Sequence, residues 1–245
     1  MSPRIHLGDT AMLVCGALIR PVREIVRQRG WEVDVYALPA VHHLDPDRLA
    51  HEVDLKLVEL DGKYRKTVVV YGDCGTNGRL DAVLARHQAV RPCGLHCYEM
   101  LAGETFTRIS HERPGSYFLT PWTVRNFRRA VLASLGLDAH PELIPAYFGN
   151  YTHVVYLRQH QDSDLDQSAA EIATLLGLQL EIEDTGLGEL TRRLAAVVEP
   201  EQERSPLMEL QQLTDAVIAC NVPATIRAGV RAPSSLSERS NRWEG

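Results

Sequence analysis

A chain of 245 residues, 44% hydrophobic and 24% charged, is long enough for one substantial core or two small ones. Its formal net charge of −6 and pI near 5.9 argue against a dedicated nucleic-acid binder, because neutralising phosphates needs a basic face that the total does not suggest. No apolar run approaches the roughly 18 residues that span a bilayer, and the opening MSPRIHLGDT lacks the apolar stretch of a signal peptide, so a cytoplasmic protein without a membrane partner is expected. Five cysteines, an odd number at irregular spacing, do not suggest a disulfide framework in a reducing compartment; buried thiol, metal ligand and nucleophile are the roles left to weigh.

Taken in order, Ala11 to Cys15 reads as a short apolar strand, and Gly16-Ala17 relaxes the backbone before a helix from about Ile19 to Arg29. Pro21 suits the first turn of that helix, and Gly30 stops it. Trp31 to Ala37 alternates at period two and predicts a second strand. Asp45-Pro46 opens a helix whose inward face is Leu49, Val53, Leu57 and Leu60. Thr67 to Val70 predicts a buried third strand, and Tyr71 to Gly78, YGDCGTNG, breaks it before a helix from Arg79 to about His87. Ala89 to Arg91 is at most a very short fourth strand, leading to Pro92-Cys93-Gly94-Leu95-His96-Cys97 and one or two helical turns ended by Gly103.

Pro114 to Trp122 reads as an extended aromatic connection, continued by a basic helix to Leu135 that carries Arg125, Arg128 and Arg129. A helix over about Pro141 to Phe148, a strand from Thr152 to Leu157, a helix from Asp164 to Leu176, a strand from Leu178 to Ile182 and a helix from Gly188 to Val198 complete the pattern. This alternation predicts a three-layer α/β fold, Rossmann-like, with a mainly parallel sheet and helices on both faces over residues 1–198. Residues 199–245 read as an extension, with a helix over about 207–220 and a disordered tail from Arg231.

Right-handed crossovers carry every strand's carboxyl end to one edge. Cys15, Cys74 and Cys97 are then expected to converge there, with Cys93 and His96 nearby. Thiolates and an imidazole suit a thiophilic metal such as zinc, and Cys15, Cys74 and Cys97 are the expected ligands; the structural alternative is that each is a small core residue. Cys74 is also a candidate nucleophile, its thiolate favoured by the following helix N-terminus, with His96 or His111 as base. Gly72, Asp73 and Gly75 are the candidate ligand-cradling positions, although Gly72-x-x-Gly75-x-x-Gly78 does not match GxGxxG and lacks a Walker lysine. Asp73 would orient a ligand or cap its own turn. His42-His43 reads as a solvated loop rather than a metal site, and His111-Glu112-Arg113 as a segment closing over the cleft or a plain surface loop.

Four blocks together resemble the DUF1638 domain family: Val14-Cys15-Gly16-Ala17-Leu18 with Glu24-Ile25, Tyr71-Gly72-Asp73-Cys74-Gly75, His96-Cys97-Tyr98-Glu99-Met100-Leu101-Ala102-Gly103, and Gly115 to Trp122. The likeness covers about Met12 to Val198; the family pattern has Asp before its third cysteine, where this chain has His96. The resemblance implies an accessory part in cobalamin-dependent methyl transfer and methionine synthase function, including reactivation of oxidised corrinoid. It implies a corrinoid protein or methyltransferase as partner, corrinoid being reached through that partner, and places the family cysteines on Cys15, Cys74 and Cys97. Two alternatives are a stand-alone cysteine- or metal-dependent transferase or hydrolase acting on a small anionic substrate, and an interaction module using the basic helix after Trp122.

Overall fold

The computed structural model describes residues 9–41 and 45–199, which fall in one compact unit. The His42-His43 reading and the expected helix and tail after residue 199 lie outside the described residues.

The elements run β1 (Thr10–Cys15), α1 (Ile19–Arg29), β2 (Asp34–Leu38), α2 (Pro46–Leu60), β3 (Lys66–Val70), α3 (Arg79–Arg86), α4 (Cys97–Ala102), α5 (Glu104–Glu112), β4 (Ser116–Leu119), α6 (Pro121–Phe127), α7 (Ile144–Phe148), β5 (His153–Arg158), α8 (Ser163–Leu176), β6 (Gln179–Asp184) and α9 (Gly188–Val198). All strand pairs among them are parallel, as expected of an α/β chain with helical crossovers. The strands are dealt into two three-stranded sheets, ordered β2-β1-β3 and β4-β5-β6, where the sequence pattern alone suggested a single one. In each sheet the middle strand is the most apolar: every residue of β1 is buried, as are Val154 to Leu157 of β5. A central parallel strand covered on both faces needs such a continuous run.

The predicted Asp45 cap is present, and α8 has one that was not predicted. Asp45 accepts from the Arg48 N–H at 3.1 Å with Pro46 at the first helical turn, and α2 buries Leu49, Val53, Leu57 and Leu60. Asp162 accepts from the N–H groups of Asp164 and Leu165, opening α8. The short fourth strand reduces to one parallel bridge, Val90 with Val68, which extends the first sheet beyond β3.

Three differences have local causes. The "connection" before Trp122 contains β4, a four-residue strand pinched between Gly115 and Pro121, too short for its alternation to stand out. Residues 104–112 form α5, separated from α4 only by Gly103, whose φ of 51° and ψ of −127° suit glycine alone. The basic helix is not uniform: α6 passes into a π-helical turn over Arg128–Leu132 and a 3-10 turn over Ala133–Leu135. Trp31 precedes β2 rather than opening it. Its indole N–H donates to Glu199 at 3.1 Å, and Arg29 pairs with the same carboxylate.

One core cluster forms around Leu119, Phe127, Val154 and Tyr156 with α8. A second, of Ala102, Ile109, Phe118, Val155 and Leu157, joins α4 and α5 to the opposite face of the second sheet, with Tyr98 and Phe106 packed against it.

Candidate functional site

The first sheet sets the site by its strand order. From β1 the chain crosses to β2 on one side and then returns past β1 to β3 on the other, so the connections leaving β1 and β3 diverge. A doubly wound sheet opens a crevice at such a switch point, outside the carboxyl ends of the strands. Cys15 is the last residue of β1, and Cys74 lies four residues beyond β3. The second sheet, in order β4-β5-β6, progresses one way and has no such point.

Backbone contacts bring the third thiol alongside. The Cys74 N–H donates to the Leu95 carbonyl at 3.1 Å. A Cβ on Gly72 would stand 2.8 Å from the Leu95 carbonyl oxygen and 2.9 Å from the His96 Cα, so only glycine lets these two segments lie this close. His96 then caps α4, and Cys97 is its first residue. Gly16 plays the corresponding part after β1: its N–H donates to the Leu38 carbonyl at 2.8 Å, and a Cβ would meet that oxygen at 2.9 Å.

The Cys74 turn is held from within. Asp73 Oδ1 accepts from the Thr76 hydroxyl at 2.7 Å and the Gly78 N–H at 3.0 Å, while Oδ2 accepts from the Asn77 N–H at 3.1 Å. Asp73 is therefore the cap of its own turn. Gly75 takes a left-handed φ of 83°, and Cys74 itself has φ of 48°, a conformation uncommon for a side-chain-bearing residue. Such residues persist where the surroundings hold them, and they concentrate at functional sites.

The facing segment is pinned from outside. Arg91 grips Asp81 with Nε and Nη2 and donates from Nη1 to the Gly94 carbonyl at 2.9 Å. Arg193 of α9 donates to the Cys93 carbonyl at 2.5 Å while its Nε bonds Glu189 at 2.6 Å. Glu99 accepts from the Leu95 N–H at 2.8 Å.

Cys15, Cys74 and Cys97 are free thiols, the first buried and the others half-buried. Burial raises the pKa of each, because an anion loses its hydration there. For Cys74 the neighbouring Cys15 and Asp73 add to burial, pushing it up to about 12. For Cys97 the further contributions come from Cys74 and Cys15. Backbone N–H groups of Ala17 and Leu18, and the Tyr71 hydroxyl, partly offset burial at Cys15. Tyr71 is 1% exposed, with its hydroxyl beside the Cys15 sulfur.

The structure thus sets the Cys74 turn against the segment leading to Cys97, with Cys15 at the end of the neighbouring strand. Sulfur donors suit a thiophilic ion in kind. Among the described residues, however, no three His, Cys, Asp or Glu side chains are spaced to hold a metal ion.

The His96 ring centroid is 5.9 Å from that of Phe106, desolvation lowers its pKa, and it makes no hydrogen bond to a thiol among the described residues. His111 and Glu112 end α5, and Arg113 pairs with Glu181 on β6. Arg125 pairs with Asp162, while Arg128 and Arg129 are exposed. Sequence reasoning did not single out Arg91, Arg193 or the Tyr71 hydroxyl. An arginine whose task is to hold carbonyl oxygens has no local motif, and only Tyr71, adjoining the glycine-rich turn, carried a signal.

A family model described as "Protein of unknown function (DUF1638)" matches residues 37–194. The chain belongs to the DUF1638 family. The matched span includes the Cys74 and Cys97 segments and the Gly115 to Trp122 block; Cys15 and Glu24 precede it. No curated protein matches the chain. Among the described residues no helix is long and apolar enough to cross a membrane.

Proposed function

We propose that this DUF1638 protein is a cytoplasmic accessory of cobalamin-dependent methyl transfer, supporting methionine synthase function through a corrinoid protein or methyltransferase partner. In this reading Cys15, Cys74 and Cys97 take up zinc or another thiophilic metal. The observation that supports the thiol chemistry is that Cys15 ends β1 and Cys74 follows β3 at the switch point of the first sheet, with the segment leading to Cys97 bonded alongside through the Leu95 carbonyl. The corrinoid connection rests on the family resemblance.

The chain's own residues divide the work. Gly72 and Gly16 permit the close approach of the loops, and Asp73 and Gly75 shape the turn that presents Cys74. Burial keeps the sulfurs protonated, so they respond to a partner that displaces the proton, such as a soft metal, rather than attacking carbon or phosphorus unaided. Bound zinc would supply Lewis acidity. The same protonation weighs against a metal-free cysteine transferase or hydrolase, as does the lack, among the described residues, of an imidazole bonded to Cys74.

Metal analysis of protein purified without a chelator tests this reading, paired with methionine synthase reactivation by wild type and Cys74→Ser. Near-stoichiometric thiophilic metal, lost with activity in the variant, is expected. Absence of metal together with full activity of Cys74→Ser contradicts it.

A further inference from the structure

Among the described residues, the arginines of this chain mostly grip a carboxylate, as Arg113 does Glu181 and Arg158 does Asp184. Arg23 and Arg27 on α1 do not: both are exposed, and neither has an ion-pair or hydrogen-bond partner among those residues. Four apart on a helix, they stand side by side on one face, where like charges repel rather than support the helix. Glu24 is the only acid in α1, and it is committed elsewhere, accepting from Gln28 at 2.9 Å and pairing with His160 at 2.9 Å. The helix macrodipole favours a cation in the last turn, which accounts for Arg27 but not for Arg23.

The two guanidinium groups border an open groove of about 270 Å³, lined by Arg23, Val26, Arg27, Gly30, Trp31 and Glu32. Its aromatic wall is held in place: the Trp31 indole N–H donates to Glu199 at 3.1 Å, and the Arg29 guanidinium lies 5.8 Å from the ring centroid. Gly30, left-handed at φ 65°, turns the chain between α1 and Trp31 without putting a side chain into the space. Val26 and Trp31 supply apolar surface, while the arginines supply N–H donors matched to the oxygens of a carboxylate or phosphate. Glu32 lies past the helix end, so a compact acid seated between Arg23 and Arg27 is favoured over a polyanion spread along the groove, which would meet a like charge. We propose that this groove binds a small organic acid, a carboxylate or phosphate monoester on an apolar body, with the acid held by Arg23 and Arg27 and the body against Val26 and Trp31. Binding there makes and breaks no covalent bond and needs none of the three thiols.

Amide NMR of isotope-labelled full-length protein is the readout, with phenyl phosphate and benzoate as probes and inorganic phosphate and phenol as controls. Saturable shifts centred on residues 23–32 are expected with at least one probe, and the tighter of the two identifies the acid. Both controls should bind about 10-fold more weakly or worse, because each offers only half of the recognition. Arg23→Gln and Arg27→Gln should each weaken the better probe by about 10-fold, the loss of a charge-assisted hydrogen bond. Their melting temperatures should match that of wild type, since neither side chain holds another part of the fold. Shifts centred elsewhere, equal binding of inorganic phosphate, or undiminished binding by the double variant overturns the site. The absence of a saturable shift with either probe, with only the melting temperature changed in the variants, overturns it in favour of a helix-stabilising role for the two arginines.

Discussion

Replacing Gly72 by alanine probes the contact on which the thiol site is assembled. The added methyl would sit 2.8 Å from the Leu95 carbonyl oxygen, 2.9 Å from the His96 Cα and 3.0 Å from the His96 carbonyl carbon. All three are backbone atoms, so no side chain can swing aside; the segments must part. Forcing a methyl into a filled space costs about 1–3 kcal/mol. Parting the segments also weakens the 3.1 Å Cys74 N–H bond to the Leu95 carbonyl, worth about 1 kcal/mol net. Together these give about 2–4 kcal/mol, or roughly 4–16 °C in melting temperature for a domain of this size. Thermal unfolding by circular dichroism measures the shift. Timed alkylation with mass spectrometry should show Cys74 and Cys97 reacting faster than in wild type, while distant buried positions stay protected from hydrogen exchange. A Gly72→Ala protein that melts within 1 °C of wild type (a margin of about 0.5 kcal/mol or less) and reacts at the same rate would refute the close-approach reasoning.

Other consequences can be checked separately. With its pKa pushed up to about 12 against an ordinary 9.0, Cys74 in metal-free protein should carry about a thousandth of the usual thiolate at neutral pH, so its alkylation should be slow and accelerate steadily with pH; rapid stoichiometric labelling at pH 7 would contradict this. Because the folded state resists ionising that thiol while the unfolded chain does not, its contribution to stability is complete below about pH 9 and is lost as pH climbs toward about 12. Cys74→Ser should therefore show a shallower alkaline loss of melting temperature than wild type. Arg193→Met strips a donor from the Cys93 carbonyl and leaves the half-buried Glu189 short of a partner, which should cost about 2–4 kcal/mol in denaturant unfolding. Asp73→Ala removes the acceptor for Thr76, Asn77 and Gly78 and should cost about 1–2 kcal/mol, with Asp73→Asn recovering most of it; equal stability of all three would contradict the capping role.

What could be read from the sequence follows a physical division. Elements with long periodic faces or strong punctuation, such as α2 with Asp45-Pro46 and α8 with its buried Ala169, Ile172 and Leu176, were legible because caps and burial act locally. The three thiols were placed at one edge by topology alone, which constrains where strands end but not how far apart side chains lie. The division into two sheets was hidden, because βα alternation looks the same whether a strand joins the old sheet or begins a new one. The braces at Arg91 and Arg193 were hidden for a related reason: Arg193 reaches a carbonyl 100 residues away in the chain. Asp73 could be read either as ligand or as cap, and its three donors settle it as the cap.

The proposed function depends on Cys15, Cys74 and Cys97 acting as one sulfur site. Zinc-edge X-ray absorption on zinc-loaded full-length protein addresses that directly. The expected first shell contains about three sulfurs near 2.3 Å, falling by about one sulfur each in Cys15→Ser, Cys74→Ser and Cys97→Ser. A shell of nitrogen and oxygen alone, unchanged in the three variants, would contradict it.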